Sequence, residues 1–123
     1  MLKVLQPQEI EAFYLLPALR RELAGALKAL GKDQKTIASL LGVTGAAVSH
    51  YLSGKRGAEM EMPASFVAKV RERAKHIKDS ASAYAALQRL VRDANDDRLL
   101  CTLHLKMDSS LAKGCALCYE GRP

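Results

Sequence analysis

Residues 34–57 read QKTIASLLGVTGAAVSHYLSGKRG, and the spacing within them decides the fold. Asp33, just ahead, carries the short carboxylate that caps a helix, and Ile37, Ala38 and Leu41 then recur at three- and four-residue steps. Gly42 ends this helix, because glycine enters the left-handed conformation at little steric cost. Thr44 is a second N-cap. The helix behind it turns Ala47, Val48, Tyr51 and Leu52 one way and Gly45, Ala46, Ser49, His50 and Ser53 the other, until Gly54 closes it. Ala38 is small where two steeply crossing helices have to approach, and Val43 and Val48 hold the second helix on the core. The expected product is a pair of short helices whose second member shows a low, polar outer face.

Charge agrees with that face. The 123-residue chain has 19 Lys+Arg and 13 Asp+Glu, a net charge of +6. Residues 34–57 hold Lys35, Lys55 and Arg56 and no carboxylate, so half of the excess lies in about one fifth of the chain. Such a window approaches a phosphate backbone without repulsion, and side chains as small as Gly45, Ala46 and Ser49 allow deep entry into a major groove.

Through Gln34, Ala38, Gly42-Val43, Val48-Ser49 and the trailing Tyr51-Leu52-Ser53-Gly54-Lys55-Arg56-Gly57, residues 17–57 resemble the Cro/repressor-type helix-turn-helix regulators, often called the xenobiotic-response-element family. The resemblance implies an all-α, lambda-repressor-like domain of about five helices. It also implies a homodimer on a palindromic DNA site, with recognition helices about 34 Å apart. Carried onto matching positions, Gln34 and Thr36 would meet phosphate or brace the recognition helix, and Thr44, Gly45, Ala46, Ser49 and His50 would face the bases. Lys55 and Arg56 would sit on the flanking phosphates. Many family members have glutamine where this chain has Gly45, so a bidentate contact to adenine is missing here. A helix pair that merely packs, as in adaptor domains, is the competing reading of the same scaffold. Within it, His50 makes one hydrogen bond and Tyr51 belongs to the core.

Working outward, Pro17 suits a first helical turn, and Leu16, Leu19, Leu23, Leu27 and Leu30 describe a first helix stopped by Gly31. Pro63 opens a fourth, with Phe66, Val67, Val70, Ala74 and Ile77 inside and Lys69, Arg71, Arg73, Lys75 and Lys78 on an outer face that is ordinarily just solvated. Asp79-Ser80 marks a break and a new cap, followed by a fifth helix through Tyr84, Leu87, Leu90, Val91 and Ala94 that fades at residues 95–97. The organisation expected is a DNA-binding region over residues 1–57, a helical extension and dimerisation segment over 58–98, and a tail over 99–123. Leu99, Cys101, Leu103 and Leu105 alternate as one short extended piece would.

All three cysteines fall in that tail. Cys101, His104, Cys115 and Cys118 form C-x2-H-x10-C-x2-C, two close pairs able to converge on one ion as a Cys3His site, with Gly114 and Gly121 freeing the turns. A metal would stabilise a tail too poor in apolar residues to fold by burial. Zinc is the plain choice for this donor set, and an iron–sulfur cluster is the alternative. The tail also resembles that of small prokaryotic, often archaeal, predicted regulators that append a Cys/His cluster to the same DNA-binding motif. Buried thiols, or a Cys115–Cys118 redox dithiol, compete with the metal.

Other classes are disfavoured. No apolar run approaches the roughly 20 residues of a membrane span, and two Phe, four Tyr and no Trp argue against base-stacking platforms. An odd cysteine count and an N-terminus without a secretory core suggest a cytoplasmic, reduced protein. No Ser-His-Asp set, phosphate loop or carboxylate pair stands out, so neither an enzyme nor a small-molecule substrate is expected. The reading is a sequence-specific transcriptional regulator on double-stranded DNA, a homodimer through its fourth and fifth helices, with a metal- or redox-responsive tail. The alternatives are a redox dithiol protein and an antitoxin-like partner-binding protein, the latter of which a large apolar groove left open between the last two helices would favour.

Overall fold

The computed structural model describes residues 6–58 and 60–99. Among them every regular element is helical: α1 (Pro7–Ile10), a π-turn (Glu11–Leu15), α2 (Leu16–Ala29), α3 (Gln34–Leu41), α4 (Gly45–Leu52), α5 (Ala64–Ala74) and α6 (Ser80–Asp96). The all-α expectation therefore holds for these residues.

The first helix begins ten residues earlier than Pro17 suggests. Pro7 opens α1 behind Gln6, whose backbone N–H donates to the Glu9 carboxylate at 3.0 Å, and the helix runs unbroken to Ala29. Proline inside a helix lacks an N–H and crowds the carbonyl four residues back. Just before Pro17 the chain widens into the π-turn, where the Leu16 N–H reaches Glu11 O five residues back. Pro17 thus marks an irregular turn within a long helix rather than its start. At the other end, Gly31 takes φ +93°, and Lys32 N–H bonds Leu27 O while Gly31 N–H bonds Lys28 O, a Schellman stop. Leu30, expected on the apolar stripe, falls past the last helical residue and is 48% exposed.

One apolar cluster runs from Ile10 to Leu99. Leu15, Leu19, Leu23 and Leu27 on the long helix are fully buried, as are Ile37, Val48, Val70 and Leu90, with Phe66 almost so. α2 lies at its centre and packs against α4, α5, α3 and α6. Phe66, Val70, Ala74 and Ile77 are inward as expected. In α6 Leu90 and Ala94 are buried and Leu87 and Val91 pack half-buried against the core as expected, but Ala83 is buried in place of the expected Tyr84, which is 71% exposed. The small Ala83 takes the inward position and the larger tyrosine is left on the outside. Asp79 caps α6, accepting the Ser82 N–H at 2.8 Å while the Ser82 hydroxyl accepts the Asp79 N–H at 3.0 Å. Lys69–Asp97 at 3.1 Å and Arg73–Asp93 at 3.6 Å tie α5 to α6, so part of the basic outer face of α5 is paired rather than only solvated.

Candidate nucleic-acid interface

Asp33, Thr44 and Gly42 do what their residue types predict. Asp33 accepts the Thr36 N–H at 2.8 Å, Thr44 Oγ1 accepts the Ala47 N–H at 3.0 Å, and Gly42 sits at φ +66°. Hydrogen bonding from Thr36, through its side chain and its backbone N–H, holds the Asp33 carboxyl below its ordinary value; Lys35 adds to this and burial opposes it. Val43 N–H bonds Ala38 O at 3.0 Å and closes the turn between α3 and α4. Ala38, Ala47, Val48 and Tyr51 are buried, and Val43 and Leu52 half-buried.

The opposite face is open. Thr44, Gly45, Ala46 and Ser49 are exposed and His50 is half-buried. α4 has eight residues, about 12 Å at 1.5 Å per residue, a length that matches a major groove about 12 Å wide. Gln34 Nε2 donates to Gly45 O at 2.9 Å, so its amide braces the start of α4. The Thr36 N–H is already taken by Asp33, and Thr36 itself is exposed.

Beyond α4 the chain is fastened twice. His50 O accepts the backbone N–H groups of Lys55 at 2.9 Å and Arg56 at 3.2 Å, and the Ser53 hydroxyl at 3.3 Å. Gly57, buried at φ +77°, rests directly against the Pro17 carbonyl, and its own carbonyl accepts Arg21 Nε at 3.1 Å. Both clasps place Lys55 and Arg56 beside the end of α4, exposed and without an ion pair among the described residues. Lys35 is exposed near the start of α4, one residue from the Gln34 brace. The result is a low helical face with two exposed cations beyond its end and a third, Lys35, on the neighbouring helix α3.

The Arg21–Gly57 clasp is invisible to periodicity; the only hint of it is a glycine directly after Lys55-Arg56. The metal-ligand candidates Cys101, His104, Cys115 and Cys118 lie outside the described residues, as does the alternation beyond Leu99. Among the described residues no group of three or more His, Cys, Asp or Glu side chains is placed to hold a metal. None of the described helices is long and apolar enough to cross a membrane. No family model, curated protein or solved structure matches the chain.

Proposed function

We propose that the protein is a helix-turn-helix regulator of the Cro/repressor type that places α4 in the major groove of double-stranded DNA. The observation that carries this reading is the outer face of α4, made of Gly45, Ala46 and Ser49, exposed and followed directly by the exposed cations Lys55 and Arg56 held on His50 O, with Lys35 exposed on α3 next to the Gln34 brace. Lys55 and Arg56 would hold phosphates on one side of the groove. His50 and Thr44 would edge the bases, while Gln34 would act through its brace on α4. Two copies would bind a palindrome with their recognition helices about 34 Å apart, paired through α5 and α6.

Fluorescence anisotropy with a random-sequence duplex at low salt tests the placement. Ser49→Glu puts a carboxylate at the middle of the face on an exposed helical position, and should abolish binding while the far-UV circular dichroism spectrum stays unchanged. Equal binding by Ser49→Glu and the parent would remove α4 from the interface.

The proposal extends to the tail, on sequence spacing alone: Cys101, His104, Cys115 and Cys118 would hold zinc, with an iron–sulfur cluster as the second candidate. Metal state would then bias the dimer and with it the spacing of the two α4 helices. Aerobic and anaerobic purification, each followed by a visible spectrum and metal analysis, separates colourless zinc from a brown cluster. A metal-free protein from both preparations contradicts the site, and equal DNA affinity with and without metal contradicts the coupling.

A further inference from the structure

Where α5 runs out and the chain turns into α6, a surface groove of about 530 Å³ opens, within the roughly 300–1,000 Å³ of small-molecule sites. Ile77, Ala85 and Ala86 contribute apolar surface to it, and Arg73, Arg89 and Arg92 contribute guanidinium groups. Arg73 comes from α5 and the other two lie one turn apart on α6, so the cations reach the groove from two elements. None of the described residues lining the groove is a carboxylate. Arg73 is engaged by Asp93 at 3.6 Å, whereas Arg89 and Arg92 are exposed and without an ion pair among the described residues. His76, also at the groove, stands 3.8 Å from Glu72. The groove is thus basic with apolar walls, unlike the large apolar groove that an antitoxin-like partner-binding surface would show.

We propose that this groove binds a small organic oxyanion, a carboxylate, sulfonate or phosphate carried on an apolar body. Guanidinium groups offer paired donors in a fixed fork that matches the two oxygens of such a headgroup. Arg89 and Arg92 supply two forks with no ion-pair partner to displace among the described residues. Ile77, Ala85 and Ala86 leave room for the apolar body and gain from its desolvation. A nucleic-acid backbone fits less well, since it is bound by cations spread along its track rather than converging on one hollow with apolar walls.

The probe is 8-anilinonaphthalene-1-sulfonate, an aromatic sulfonate, titrated by fluorescence into the full chain in the absence of DNA. Saturable binding displaced by octanoate is expected, and Arg89→Gln/Arg92→Gln should weaken it at least fivefold. Arg71→Gln alters an exposed arginine of α5 that does not line the groove, and should leave it within about twofold. Circular dichroism establishes that each variant is folded. Absence of saturable binding, an unchanged affinity in the double variant, or equal weakening in Arg71→Gln would overturn the proposal. So would a double variant that loses DNA affinity and keeps the dye, which would assign these arginines to phosphate. Because DNA is absent from the titration, its outcome is independent of the role of α4.

Discussion

Replacing Gly57 by alanine should destabilise the protein far more than the same change at Gly54. Both glycines occupy the left-handed region, at φ +77° and +79°, so the backbone penalty of a β-carbon is the same at each, roughly 1–2 kcal/mol. Alanine also restricts the unfolded chain, which returns about 0.4–1 kcal/mol. At Gly54 nothing lies within 4 Å of the added carbon, and the net loss should be about 1 kcal/mol. At Gly57 the added carbon would overlap the Pro17 carbonyl and stand 3.0 Å from Arg21 Cβ. The loop would have to lift from α2, breaking the 3.1 Å bond from Arg21 Nε, a charge-assisted interaction of roughly 1.5–3 kcal/mol. Gly57→Ala should therefore lose about 3–4 kcal/mol, a large share of the 5–15 kcal/mol typical of a domain. Urea denaturation of the two variants side by side measures the difference, at about 2–3 kcal/mol. Equal midpoints would refute the close approach of the loop to α2, and with it the account of how Lys55 and Arg56 are held.

Thr44→Ala removes the acceptor of the Ala47 N–H and should lower stability by about 1 kcal/mol, seen as a drop in Tm of roughly 4–8 °C, while Thr44→Ser recovers most of it. Acid should act through the caps. The Asp79 carboxyl is held below its ordinary value chiefly by the Ser82 backbone N–H, then by the Ser82 side chain, and Asp33 is lowered by Thr36. For a lowered carboxylate the stabilisation is complete above the unfolded-state pKa, near 3.8, and disappears as pH falls through the lower folded value. Urea midpoints should thus be level from pH 7 to 5 and fall below about pH 4. The Asp33→Asn/Asp79→Asn variant, which keeps a capping side chain but cannot ionise, should fall less steeply, and an identical acid slope would contradict this.

The α3–turn–α4 pair was the most legible part of the sequence because it is set locally. Asp33 and Thr44 cap through bonds spanning three residues, and Gly42 turns within one residue, so no distant contact has to be known. Pro17 misled because proline favours a first helical turn, yet the preceding residues met it with a π-turn and continued the helix. Tyr84 misled because its spacing alone fits an apolar stripe. Whether Ala83 or Tyr84 turns inward depends on how closely α6 approaches its neighbours, which is a tertiary property. The face of α4 was readable for the same local reasons as the helix itself. Its supports were less so: the Gln34 brace spans eleven residues and the Arg21–Gly57 clasp thirty-six. The basic groove depends on a pairing of α5 with α6 that periodicity cannot supply.

The salt dependence of DNA affinity tests the central claim most directly. Binding to a random duplex, measured from low to moderate salt, should weaken linearly in log–log form, with a slope set by the number of phosphates neutralised. With both Lys55 and Arg56 on phosphate, Lys55→Ala/Arg56→Ala should make that slope shallower by about 2. A parent protein that does not bind duplex DNA, or a double variant whose slope equals that of the parent, would contradict the interface assigned to α4 and the loop behind it.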